Sequence, residues 1–189
     1  EIRVIAYNIH HGEGTDGRVD LERIAKRLLS EKPDLVAVNE VDQGTNRTSK
    51  IDMPAELARL TGMQVVFEKN IDHDGGRYGN AVLSRLPIRR HVNHKLPSNY
   101  AGEQRGVLEI ELGDADEPEP ILFLATHIDY RPDDTERMWS VKKIEEILAD
   151  RPHVPAILAG DLNASPDSRV MAGFARTWKR ANAEDLATY

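Results

Sequence analysis

The sequence predicts an α/β fold in which a mixed sheet, or two packed sheets, is covered by helices. Three observations carry that expectation. Helix-and-strand patterns occupy both ends of the chain, and five strand-like segments follow one another through its middle. The length of 189 residues and a hydrophobic share of 40% suit one domain with a real apolar core. No apolar run approaches the roughly 18 residues of a membrane-spanning helix. The chain has no cysteine, which excludes a disulfide framework, a thiol nucleophile and a Cys-ligated zinc site.

The elements follow in order. Ile2 to Tyr7 reads as a strand, and Asn8 to Gly17 as a loop. Asp20 can cap a helix through about Ser30, because Leu21, Ile24, Ala25, Leu28 and Leu29 make one apolar stripe. Pro33 ends it, and Leu35-Val36-Ala37-Val38 is a short buried strand. Pro54 to Thr61 is a helix stopped by Gly62. Met63–Glu68, Gly79–Ser84, Ile88–Leu96, Gly106–Leu112 and Ile121–Thr126 are strands, with a turn-like stretch over Asp72–Gly76. A helix from about Asp134 to Asp150, a buried strand Val154–Ala159 and a helix from about Pro166 to Trp178 complete the chain.

Thirty-two acids against 25 bases give a net charge of −7, which disfavours a long nucleic-acid polymer as substrate without excluding it. Gly12, Gly14 and Gly17 satisfy a dinucleotide-binding glycine pattern, yet Gly17 falls before Asp20 rather than inside the helix, and Glu13 and Asp16 would repel a pyrophosphate. A turn-rich loop is the better reading, and a nicotinamide-dependent oxidoreductase ranks last.

Chemistry concentrates at strand ends. Asp161 and Asn163 in Gly160-Asp161-Leu162-Asn163 follow an apolar strand. The carboxylate can accept a proton from water or hold a cation, and the amide can donate to a phosphoryl oxygen. An Asx turn explains the same residues equally well. Asn8 and Glu40 also close apolar strands, where an acid is costly unless it is paired, with Arg47 or Arg105 for example, or bound to a metal such as magnesium. His127 ends another strand and could protonate a leaving oxygen or bind a phosphoryl oxygen, although a structural role is common for a lone histidine. His10 and His11 could line the same rim. Arg105 can answer a phosphate, and Asn80 adds an amide donor.

In order, the chain carries Tyr7-Asn8-Ile9-His10-His11-Gly12, Pro33 to Asp42, Tyr78 to Arg85, Glu103-Gln104-Arg105-Gly106, Thr126-His127-Ile128-Asp129 and Gly160-Asp161-Leu162-Asn163. Along its whole length it resembles the endonuclease/exonuclease/phosphatase superfamily, the DNase I-like metal-dependent phosphoesterases, and most of all a bacterial branch with an Asn-Ile-His-His-Gly start. The resemblance implies a four-layer α/β sandwich of two packed mixed β-sheets flanked by helices. It implies Mg2+ (or Mn2+) on Glu40 with Asn8 beside it, Asp161 orienting or deprotonating the attacking water, and Asn163 helping to hold the phosphate. His127 would contact the phosphate or leaving group, His10 would join the phosphate-binding residues, and Arg105 and Asn80 would support the pocket from the second sheet.

The same resemblance exposes a departure. The family continues into a further strand and a final Ser-Asp-His, whereas no histidine follows His153 here. Residues 1–189 are therefore read as one domain truncated at its C-terminus, with C-terminal strands missing, sheet edges open and little or no turnover on its own. A noncatalytic binding module on the same fold is the alternative. The opening at Glu1 without Met is read as a mature or trimmed product. The remaining expectations are a phosphoester substrate, a monomer, and a soluble protein exported or periplasmic in a bacterium.

Overall fold

A computed structural model describes residues 1–114, 116 and 119–181. Its elements are β1 (Val4–Asn8), a 3-10 turn His10–Gly12, α1 (Leu21–Ser30), β2 (Leu35–Gln43), α2 (Met53–Thr61), β3 (Gln64–His73) and β4 (Gly76–Ser84). After them come β5 (Ile88–Lys95), β6 (Gly106–Leu112), β7 (Ile121–His127), α3 (Thr135–Ala149), β8 (Ala156–Asp161) and α4 (Arg169–Phe174). The strands form two four-stranded sheets, ordered β1-β2-β4-β3 and β5-β6-β7-β8. Each is mixed, with one parallel pair, β1/β2 or β7/β8, beside antiparallel ones. None of the described helices is long and apolar enough to cross a membrane.

Strand alternation explains the layers. In β2, Leu35 and Ala37 join Val82, Leu108, Ile110, Phe123 and Ala125 in the core between the sheets. Val36 and Val38 point the other way, under α1 and α2, with Leu21, Ile24, Leu28 and Leu57. On the far side Leu122 and Leu124 of β7 meet Val141 and Ile144 of α3 and Val170 and Phe174 of α4. Side chains of period two thus give three apolar layers between four layers of secondary structure, the sandwich expected from the sequence.

The helix starts agree with their chemistry. Asp20 accepts from the Arg23 amide at 2.8 Å and Asp52 from the Ala55 amide at 3.1 Å, while Gly62 closes α2 at φ 69°. Three boundaries and the burial of one strand differ most from the sequence reading. β2 runs on to Gln43 through a bulge between Val38 and Val41. The β3/β4 turn narrows to Asp74-Gly75, at φ 46° and 73°, the positive pair that a two-residue hairpin loop of matched twist requires. Instead of continuing from Pro166 to Trp178, α4 is short, because Ser168 caps it on the Met171 amide at 3.2 Å. Finally β8 is half-buried along its length rather than buried, because among the described residues it pairs only with β7, as β1 pairs only with β2. Thr188-Tyr189, where the sequence places the approach to a further strand, lie outside the described residues.

Gly160 makes the β7/β8 contact possible. Its φ is 142°, and an added Cβ would lie 1.8 Å from the Thr126 carbonyl oxygen, so no side chain fits without moving the backbone. Gly160→Ala is expected to cost more than about 2 kcal/mol, read as a lowered urea midpoint. A midpoint within error of wild type would show that β8 can shift freely.

Candidate active site

The parity that places Leu35 and Ala37 between the sheets places Asn39 there too, and the same rule brings Asn8, Asn80, His127 and Asp161 to the inner face. Register completes the arrangement: Asn8 lies beside Asn39 across β1/β2, and His127 beside Asp161 across β7/β8. The carboxyl ends of both parallel pairs therefore meet where the apolar middle layer gives way to polar groups. Glu40 has the opposite parity. The bulge in β2 corrects it, with Glu40 as a left-handed residue at φ 59°, and re-aims its carboxylate toward Asn8.

At the centre Asn8 Nδ2 lies 2.8 Å from Glu40 Oε1 and 3.2 Å from Asp161 Oδ2. Asn8 Oδ1 accepts from the His10 amide at 3.0 Å, so the residue is held from both ends. Asp161 Oδ1 accepts from the Asn163 amide at 3.0 Å. The Asx turn and a second carboxylate oxygen facing Asn8 and His127 thus coexist at one residue. Neither arginine weighed as a partner for Glu40 takes that role: Arg47 holds Asp42 at 2.7 Å, and Arg105 holds Glu103 at 2.6 Å.

His127 is buried, with Nδ1 2.9 Å from an Arg105 guanidinium nitrogen and Nε2 3.7 Å from Asp161 Oδ2. Arginine can only donate, so Nδ1 accepts and the ring's own hydrogen sits on Nε2, facing Asp161. Burial first, and then the Arg105 charge, push the ring down to about 4, against the opposing pull of Asp161 and Glu40. Neutral at pH 7, it offers its Nε2–H as a hydrogen-bond donor. Burial likewise raises Glu103, outweighing the Arg105 charge beside it.

The depressed value has a stability consequence. An unfolded ring titrates near 6.5, so below that pH the unfolded chain takes up a proton that the folded chain refuses. The contribution is complete above the unfolded value and is lost as pH falls toward the folded one, amounting to up to about 3 kcal/mol. Urea unfolding in EDTA should show His127→Gln losing that much of the stability gained between those two pH values. An unaltered pH profile in the variant would contradict the assignment.

Two expected phosphate contacts are placed differently. Asn80 is 2% exposed, and its amide is consumed within the protein, accepting from Asn39 at 3.0 Å and donating to the Gly106 carbonyl at 3.3 Å. It also belongs to the first sheet, not the second, because the chain crosses over only after Ser84. Arg105, 7% exposed, does precede β6 of the second sheet, where it orients His127 from behind. Asn163, at φ 42°, spends one amide hydrogen on the Ile128 carbonyl at 3.0 Å. His10 stands exposed at the mouth, its ring centroid 4.3 Å from that of the half-buried His11. Burial, followed by Arg47 and His10, lowers the His11 pKa.

Asn39 was not singled out from the sequence. Fully buried, it donates to Asn80 Oδ1 and to the Thr126 carbonyl and accepts from the Asp161 amide, each at 3.0 Å. It ties both sheets to the residue that presents the second carboxylate. Its signal was available: an amide inside the apolar run Leu35–Val41, where burial demands partners.

Comparison with known proteins accords with this geometry. A family model described as Endonuclease/Exonuclease/phosphatase family matches residues 5–187. The uncharacterized protein YbhP of Escherichia coli K12 is 25% identical over 202 residues, spanning 99% of this chain and 78% of its own length. An endonuclease/exonuclease/phosphatase structure from Beutenbergia cavernae superposes with a TM-score of 0.70 at 26% identity, over 93% of this chain and 52% of that one. This chain thus spans about half of that protein's length. The mannosyl-6-phosphatase Bt3783 of Bacteroides thetaiotaomicron shares the fold, with a TM-score of 0.72 at 19% identity over 93% of this chain and 70% of that one.

Proposed function

Because the chain belongs to the endonuclease/exonuclease/phosphatase family, we propose that it is a metal-assisted phosphoesterase, hydrolysing a phosphodiester or phosphomonoester with water activated at Asp161. The observation that carries this reading is the convergence of two carboxylates on one amide, with Glu40 Oε1 at 2.8 Å and Asp161 Oδ2 at 3.2 Å from Asn8 Nδ2. One neutral donor between two acids leaves negative charge for a cation to balance. The carboxylate oxygens of Glu40 and Asp161 suit Mg2+ or Mn2+. Glu40 would hold the ion, with Asn8 beside it. Once bound, the ion would neutralise phosphoryl oxygens as negative charge develops on them.

The chain's own residues supply the remaining parts. Asp161 accepts the proton of the attacking water, its carboxylate oriented by the Asn163 amide and Asn8. His127, neutral and aligned by Arg105, hydrogen-bonds a phosphoryl or leaving oxygen through its Nε2–H. Asn163 offers its second amide hydrogen to the phosphate, and His10 lines the rim. Both ester classes fit this frame. The mannosyl-6-phosphatase among its structural neighbours supports including monoesters, and the acidic balance disfavours duplex DNA.

Hydrolysis of bis(para-nitrophenyl) phosphate and of para-nitrophenyl phosphate, each with Mg2+ or Mn2+ against EDTA, tests the reading. Metal-dependent release, even if slow, that disappears in Glu40→Gln is the expected result. Release indifferent to metal would sink it. Metal-dependent retention of phosphate with no turnover would favour the noncatalytic binding module.

A further inference from the structure

We propose that His10, His11 and Glu40 form a nitrogen-containing ligand set for a divalent transition-metal ion of the Mn2+, Co2+ or Zn2+ kind, distinct from the oxygen donors of Asn8 and Asp161. One ligand atom from each of the three residues lies within 4.8 Å of the others. Bonds of about 2.1 Å hold ligand atoms no more than about 4.2 Å apart, so rotamer adjustment of the three side chains has to close the remainder. Two imidazoles and one carboxylate are a donor set that first-row transition ions accept, whereas Mg2+ keeps to oxygen and water.

The backbone places these side chains at a cost. His10, His11 and Glu40 sit at φ 46°, 43° and 59°, in the left-handed region that costs roughly 1–2 kcal/mol per non-glycine residue. Ordinary turn or strand geometry at either segment would aim the rings and the carboxylate apart. The bulge of β2 and the 3-10 turn after β1 bring them together instead, although the two segments are far apart in sequence. Glu13 lies 3.5 Å from His11 Nε2, and a carboxylate on one ring nitrogen fixes the tautomer and strengthens the other as a ligand. The His10 and His11 rings lie against each other, their centroids 4.3 Å apart and their planes tilted by 55°. Under this proposal His10 serves as a metal ligand rather than as a phosphate contact. The site shares Glu40 with the hydrolytic reading but requires no hydrolysis.

Titrating the 189-residue protein with Co2+ and following its visible absorption tests the proposal. His10→Ala and His11→Ala should each weaken Co2+ binding by about 10-fold or more, while Mg2+ affinity, measured by competition, changes less than about threefold. Retained Co2+ affinity in the double variant overturns the proposal. Pulsed EPR of stoichiometric Mn2+ on the wild-type protein needs no variant: nitrogen hyperfine coupling is expected, and bound Mn2+ without it overturns the assignment. Nitrogen coupling without hydrolysis would sink the phosphoesterase reading alone. Metal-dependent hydrolysis with oxygen-only ligation would sink this proposal alone.

Discussion

Replacing Asn39 with alanine is expected to lower the unfolding free energy by about 3–5 kcal/mol. The side chain makes three hydrogen bonds of 3.0 Å from a fully buried position, to Asn80, to the Thr126 carbonyl and from the Asp161 amide. Alanine leaves the Asn80 and Thr126 oxygens and the Asp161 amide hydrogen without that partner, and opens a gap between the sheets that the apolar layer has no side chain to fill. Asn39→Asp is the sharper control. It keeps an oxygen for the Asp161 amide but turns the second position from donor to acceptor, against two oxygens that also only accept, so it should cost at least as much. Urea unfolding checks both variants. A cost below about 1 kcal/mol in each would mean that the apolar layer alone holds the sheets together.

Asp161→Asn is expected to reduce metal-dependent phosphoester hydrolysis by about 10²–10⁴-fold, the range for removing a positioned general base, with a stability change of no more than about 1 kcal/mol. The second half of that expectation separates chemistry from folding. The two bonds use different oxygens, Oδ2 accepting from Asn8 at 3.2 Å and Oδ1 from the Asn163 amide at 3.0 Å, so asparagine keeps only one of them and turns its NH2 toward the other donor. Replacing the carboxylate also removes one of two negative charges gathered around Asn8 Nδ2, which offsets part of the lost bond, so the metal-free variant should stay within about 1 kcal/mol of wild type in urea unfolding. Rate retention in a folded Asp161→Asn protein would remove Asp161 from the role of base. A matching fall in stability would assign it to the framework instead.

Most of the fold was legible because hydrophobic period follows directly from burial. Leu35-Val36-Ala37-Val38 had to be a strand covered on both faces, and Asp20 and Gly62 had to bound helices by the chemistry of orphaned amides and of positive φ. The strand-end residues Asn8, Glu40, His127 and Asp161 were legible in kind and do come together. Less visible was what depends on partners distant in sequence. The bulge that turns Glu40 inward is a mismatch of register between β2 and β4, a property of two strands rather than of one. Asn80 and Arg105 looked like phosphate ligands because local sequence shows a donor but not what already occupies it. Asn39 was passed over for the converse reason, its three partners lying on β4, β7 and β8.

By itself the sequence determined which residue types stand at the carboxyl ends of the strands, and which residues start α1 and stop α2. Alternation and capping are local rules, enforced within a few residues by sterics and by the need to satisfy backbone groups. Only the tertiary structure decided that Asn8 bridges Glu40 and Asp161, that His127 is a neutral donor set by Arg105, and that two histidines and a glutamate face one another. Those outcomes depend on burial and on groups brought within hydrogen-bonding distance by sheet packing. Charge, protonation and ligand geometry at the site are therefore properties of the assembled sandwich rather than of any one segment.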